Sequence, residues 1–148
     1  MNEAKKIVKL MVESENLFSK LYLKYSQLFD NKKFWTTLAQ EEVEHGQWLK
    51  ALSDSRDIES IDTQTSSPAF ISTMNLAMKE QIESNKEISL QEALTKALHL
   101  ENTFLENNYF EIFKGQAASF QNVIERLAFE TRKHRDGIER ELAKYEIK

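Results

Sequence analysis

Glu42 and His45 stand on the apolar face of a helix-forming stretch, where a packed protein has no ordinary use for a carboxylate or an imidazole. At about 100° per residue, Trp35, Leu38, Leu49 and Leu52 share one side of residues 35–52, and Glu42 and His45 project from the middle of that stripe. An ionised carboxylate buried without a partner is costly, so its charge must be paired, shared through a proton, or bound to a metal. Residues three apart on a helix are neighbours, and an E-x-x-H pair can therefore reach one ion between packed helices. The four-letter pattern alone is weak, because it recurs by chance in a Glu-rich chain. Its weight comes from its place on the apolar face and from what the other long helices bring to the same level.

Three further long helices are expected. Ile7, Met11, Phe18, Tyr22, Tyr25 and Phe29 repeat at helical spacing over residues 3–29, with Glu15 on the edge of their stripe and Glu13 pointing away. Asp30 and Asn31 supply turn and N-cap chemistry before the second helix, which fades near Ser53, and so short a connection makes the two antiparallel neighbours. Residues 55–67 are rich in Asp, Ser and Thr and read as a loop. Ser67-Pro68 resembles an N-cap followed by Pro at the first helical position, opening a shorter helix over 68–84. The connection over 53–88 is long enough to cross a bundle, so the next helix need not be antiparallel to the second. Ser89-Leu90-Gln91-Glu92 matches a capping box. The helix it opens shows Leu90, Leu94, Ala97, Phe104, Leu105 and Ile112 on one face with Glu101 at the centre, Asn108 also inward, and Gly115 as a stop. The last helix starts near Ala117 and carries Phe120, Val123, Ile124, Leu127, Ile138, Leu142 and Tyr145 on one side, with Thr131 and His134 among them.

The halves of the chain correspond. Glu15 followed by Glu42 and His45 is matched by Glu101 followed by Thr131 and His134, and the correspondence fails only where Thr131 takes the place of Glu42. Glu130 is adjacent, near the edge of its stripe. Each inward polar residue has an ordinary explanation as a salt-bridge or hydrogen-bonded core residue. Together, three acids and two imidazoles with no Lys or Arg on those stripes at their level leave negative charge that a divalent cation would neutralise. Carboxylate and imidazole ligands suit iron or manganese, with zinc as a further fit. Tyr22 is read as a core residue or as a donor to a ligand, and His99, Glu41, Glu44 and Glu106 as surface or flanking groups. Phe110 and Phe129 face away from their own stripes, either covering a homodimer interface or packing under the shorter helix.

Composition narrows the classes. A chain of 148 residues with 41% hydrophobic and 30% charged residues, one Pro and three Gly fits one globular helical domain. The absence of Cys excludes thiolate metal sites, a rubredoxin-type iron centre and cysteine nucleophiles. A net charge of −4 with both signs interspersed gives no footprint for nucleic acid. With no apolar run long enough for a membrane span and no signal-peptide core, a cytoplasmic protein is expected.

The chain resembles the ferritin-like superfamily, nearest its rubrerythrin-like branch. The resemblance is carried by Glu15 with Tyr22, Phe34-Trp35, the run from Leu38 to His45, the long crossover, Ala97 to Glu101, and Leu127 to His134. It implies an all-α, ferritin-like four-helix bundle whose crossover contains a short extra helix. It further implies a di-iron carboxylate centre with Glu15 and Glu101 as terminal ligands, Glu42 bridging, and His45 and His134 each on one metal. The second bridging Glu is expected at Thr131. Three readings of that departure are open: Glu130 reaches in, one metal binds, or a second binds weakly. The implied activity is redox, as a peroxidase or ferroxidase, and without cysteines its electrons would come from a separate donor protein. The competing reading is a metal-free helical bundle acting as a binding or assembly module.

Overall fold

A computed structural model describes residues 3–54, 68–106 and 118–145. They form five α-helices, with no strand among the described residues: α1 (Glu3–Leu28), α2 (Lys32–Ser53), α3 (Pro68–Glu83), α4 (Leu90–Glu106) and α5 (Ala118–Ala143). No described helix is long and apolar enough to cross a membrane. The expected loop over 55–67, Ser67 as an N-cap, Asn108, Phe110, Ile112, Gly115 and Ala117 lie outside the described residues, as does the side chain of Phe120.

Contacts between named residues give the helix directions. Tyr22 and Tyr25 of α1 meet Trp35 of α2, while Glu15 meets His45, so α1 and α2 run antiparallel. Tyr22 meets Glu101 and Phe18 meets Phe104, which sets α4 antiparallel to α1 and hence in the same direction as α2. Glu41 and Glu42 face His134 while Trp48 faces Arg126, so α5 runs opposite to α2. The return between α2 and α4 is made by α3, which lies parallel to α1. The buried Asn75 fixes its register, accepting from the Ser14 hydroxyl at 2.6 Å and donating to the Leu10 carbonyl at 3.2 Å. Farther along, Lys24 Nζ donates to the carbonyls of Gln81 and Ser84 at 2.6 and 2.8 Å, satisfying the end of α3 with a cation where the helix dipole favours one.

Local chemistry accounts for the boundaries. The capping box at α4 is present in full: Glu92 N–H donates to Ser89 Oγ and Ser89 N–H to Glu92 Oε1, both at 3.1 Å. Asn31 does precede α2, but its side chain makes no cap. It is drawn sideways instead, accepting from Trp35 Nε1 and donating to Glu141 Oε2, each at 2.9 Å, and so ties α2 to α5. Tyr145 also departs from expectation. Because α5 ends at Ala143, the helical register does not carry Tyr145 inward, and it lies exposed beyond the last turn. Phe129 is 55% exposed beneath Lys133 Nζ, on the surface rather than under α3.

One core runs through the molecule. Phe18, Leu21, Tyr22 and Tyr25 of α1 pack with Trp35 and Leu49 of α2, Ile71 and Met78 of α3, Leu94 and Phe104 of α4, and Leu127 and Ile138 of α5, all buried. Glu15, Glu42, His45, Glu101, Thr131 and His134 lie inside that shell.

Candidate metal centre

Glu15, Glu42, His45, Glu101, Thr131 and His134 are all buried, and none is more than 6% exposed. They come from four different helices and meet at mid-height. His45 Nδ1 lies 3.7 Å from Glu15 Oε2 and 3.8 Å from Glu42 Oε1. His134 Nδ1 lies 2.6 Å from Glu42 Oε1 and 3.8 Å from Glu101 Oε1. The two imidazoles stack with centroids 5.3 Å apart. Tyr22 is a core residue, its ring buried, and its hydroxyl donates to Glu101 Oε1 at 2.7 Å.

Hydrogen bonding is incomplete where it should be complete. Both nitrogens of His45 and Nδ1 of His134 are buried without a hydrogen-bond partner. Glu42 Oε1 touches His134 Nδ1, but out of line with the direction in which the ring nitrogen bonds. Buried polar groups are nearly always satisfied, and an orphan nitrogen costs about 1–3 kcal/mol. Here two of the three orphans, His45 Nδ1 and His134 Nδ1, face carboxylates within 3.8 Å. One ligand atom from each of Glu42, His45 and His134 lies within 4.8 Å of the others. A small divalent cation bound to nitrogen and oxygen at about 2.1 Å needs donors about 3.3 Å apart, a spacing the Glu42 contacts to the two rings bracket. The donor set fits a metal of the iron, manganese or zinc type.

No family model, curated protein or solved structure matches this chain.

Proton sharing holds the acids together. Burial and the neighbouring charge of Glu15 push the Glu42 carboxyl well above the usual carboxylate range, helped by its hydrogen bond with Glu15 and the charge of Glu101. Burial acts to raise Glu15 as well, but its interaction with the Glu42 carboxyl and the proximity of the His45 and His134 rings outweigh it, and Glu15 lies below its ordinary value. Burial opposes charge on His134, yet the nearby carboxylates of Glu101, Glu41 and Glu42 prevail and raise it far above an ordinary imidazole. For Tyr22, burial and the charge of Glu101 raise the phenol well above its usual range, so it stays a hydrogen-bond donor.

Two neighbours were not legible as part of this centre. Glu41, read as a flanking charge, accepts or shares the proton of His134 Nε2 at 3.1 Å from the far side of the ring. Its side chain is about a third exposed and faces a cleft of about 580 Å³ between α2 and α5, lined also by Lys32, Lys33, Phe34 and Lys133. The cleft brings solvent to Glu41 and the outer edge of His134. Gly46 is the second. A Cβ there would lie 3.2 Å from Asn16 Oδ1 and 3.6 Å from Glu15 Cβ, so glycine allows α1 to approach α2 beside His45. An isolated Gly inside a helical pattern is the signal that could have marked it. Glu130 is not among the converging residues: its carboxylate stands 3.5 Å from Lys133 Nζ, partly exposed. Thr131 is inward, but its hydroxyl donates to the Leu127 carbonyl at 2.8 Å. His99 is exposed, as its place on the wheel requires.

Proposed function

We propose that this chain is a metal-binding protein of ferritin-like architecture, a four-helix bundle of α1, α2, α4 and α5 crossed by α3. It holds non-haem iron at the Glu15, Glu42, His45, Glu101 and His134 centre and works in redox handling of peroxide, dioxygen or iron itself. The observation that carries the reading is the set of orphaned, buried imidazole nitrogens facing carboxylates, an arrangement that is costly empty and satisfied by a cation. Iron is favoured by two imidazoles with carboxylates and no sulfur. When bound, it would supply one-electron cycling between the ferrous and ferric states, with the carboxylates favouring the higher charge. The residues of the chain do the rest. Tyr22 orients Glu101, the Glu15 and Glu42 carboxyls share a proton, and the surrounding aromatic shell restricts water. With no Cys in the sequence, electrons would be delivered by a separate donor protein.

Anaerobic incubation with ferrous iron followed by desalting tests this reading. The wild type is expected to retain iron and His45→Ala to lose it; a wild type that comes through metal-free sinks the proposal.

Metal uptake is also expected to expel protons. Glu42 and His134 are both shifted upward, so near neutrality the metal-free centre holds protons on groups that must be deprotonated to bind a cation. Affinity should therefore rise with pH and fall as the solution is acidified. Calorimetry in buffers of different ionisation enthalpy should find about one or two protons released per ion.

A second reading rests on His134 itself. With Glu41 on one nitrogen and Glu42 against the other, a charged imidazole is a buried base that neutralises part of the cluster. On that reading the bundle is a metal-free binding or assembly module. The orphaned nitrogens of His45, which no acid satisfies, weigh for the metal.

A further inference from the structure

We infer that the centre takes a single divalent cation, gripped by Glu42, His45 and His134 as a two-histidine, one-carboxylate triad, and lacks a second metal position. The inference rests on the metal-binding reading above and decides how many ions that reading allows. Only one of the two half-motifs is chemically complete. On α2, Glu42 and His45 both turn into the centre. On α5, His134 enters alone: Thr131 offers a neutral hydroxyl already committed to the carbonyl of Leu127, and Glu130 has turned to Lys133. The other acids do not make up the loss. Glu101 is held by the Tyr22 hydroxyl, and Glu15 reaches the centre beside His45.

Charge gives an independent argument. The centre contains three buried carboxylates, from Glu15, Glu42 and Glu101. Two dications would leave net positive charge among buried groups, whereas one leaves a single excess negative charge that a retained proton removes. Glu41 does not alter this balance, since it sits across the His134 ring and is open to solvent. A glutamate at 131 would supply both the missing bridge and the missing charge.

Native mass spectrometry and anaerobic calorimetry with Mn²⁺, joined to electron paramagnetic resonance of the loaded protein, test the count. The wild type is expected to bind about one ion with the spectrum of an isolated centre, the behaviour of a two-histidine, one-carboxylate site. Two ions, or the spectrum of an exchange-coupled pair, would overturn the single-ion inference while leaving metal binding intact. No ion at all would overturn both. Thr131→Glu is expected to admit a second ion, and a folded variant that still takes one refutes the assignment of the missing position to residue 131. Glu130→Ala, at a partly exposed position turned to Lys133, is expected to leave stoichiometry unchanged and affinity within about twofold. A clear loss there would make Glu130 a ligand and end the inference.

Discussion

Glu42→Gln is expected to abolish metal uptake while leaving the metal-free protein at least as stable as the wild type. The amide keeps the shape of the carboxyl and can still donate toward Glu15, so the fold loses no packing. What it loses is a carboxylate that faces both imidazoles, at 3.8 Å from His45 and 2.6 Å from His134. Removing an oxygen ligand that serves both rings should weaken binding by more than about 100-fold, beyond what is usual for an outer partner of a ligand. Stability moves the other way because Glu42 is an acid whose carboxyl is raised by burial and by its acidic neighbours. Such a group favours the folded state while protonated and costs stability as pH climbs above its ordinary value of 4.5 toward its raised one. The amide carries no such cost. The advantage of the variant should grow with pH over that interval, reaching zero to about 2 kcal/mol.

The same pair of proteins separates function from folding in one thermal experiment. An ion that binds only the folded state, present at about a thousand times its Kd, adds about 4 kcal/mol to stability. For a domain of this size that corresponds to a rise of about 10 °C in Tm. The wild type should show the rise and Glu42→Gln should not, although the variant starts from an equal or higher Tm. An equal metal-induced rise in both would mean that the cation sits elsewhere.

Most of this centre was legible because helical periodicity is a strict constraint. Glu15, Glu42, His45, Glu101 and His134 lie on apolar stripes, and a stripe must face the core. Each is buried where the wheel puts it. The capping box at Ser89 was legible for the same reason, since both of its bonds are local. What escaped depends on side-chain reach between helices. Glu41 is rotated about 100° from Glu42 on its own helix, yet it meets His134 because an imidazole presents a nitrogen on each side. Asn31 has the right residue type for an N-cap, but Trp35 and Glu141 compete for its amide and win. Trp35 is only one turn away, but Glu141 is 110 positions distant and invisible to a rule that looks only at neighbours in sequence. The direction of α4 was left open by the length of the crossover, and it is fixed by Asn75 and Lys24 seating α3 along α1, pairings between residues some 60 positions apart.

Trp35→Ala is expected to produce the largest loss of stability of any single change considered, and to reach the centre from a distance. Trp35 is fully buried, with Tyr25 4.9 Å and Tyr22 5.7 Å away between ring centroids, and with Phe34 edge-on at 5.0 Å. Deleting such an aromatic side chain from a packed interior costs about 3–5 kcal/mol, because the cavity cannot collapse among rigid rings. Two controls separate the causes. Trp35→Phe keeps much of the volume and loses the indole N–H bonded to Asn31, so it should cost clearly less, about 1–2 kcal/mol. Phe129→Ala, an aromatic deletion at an exposed position, should stay within about 0.5 kcal/mol. Denaturant titration of the metal-free proteins measures all three. Because Trp35 packs on Tyr22, and Tyr22 holds Glu101 by its hydroxyl, the alanine variant should also bind metal more weakly, whereas Phe129→Ala should not. Equal metal affinity in Trp35→Ala and wild type would show that the position of Glu101 does not depend on the aromatic wall behind it.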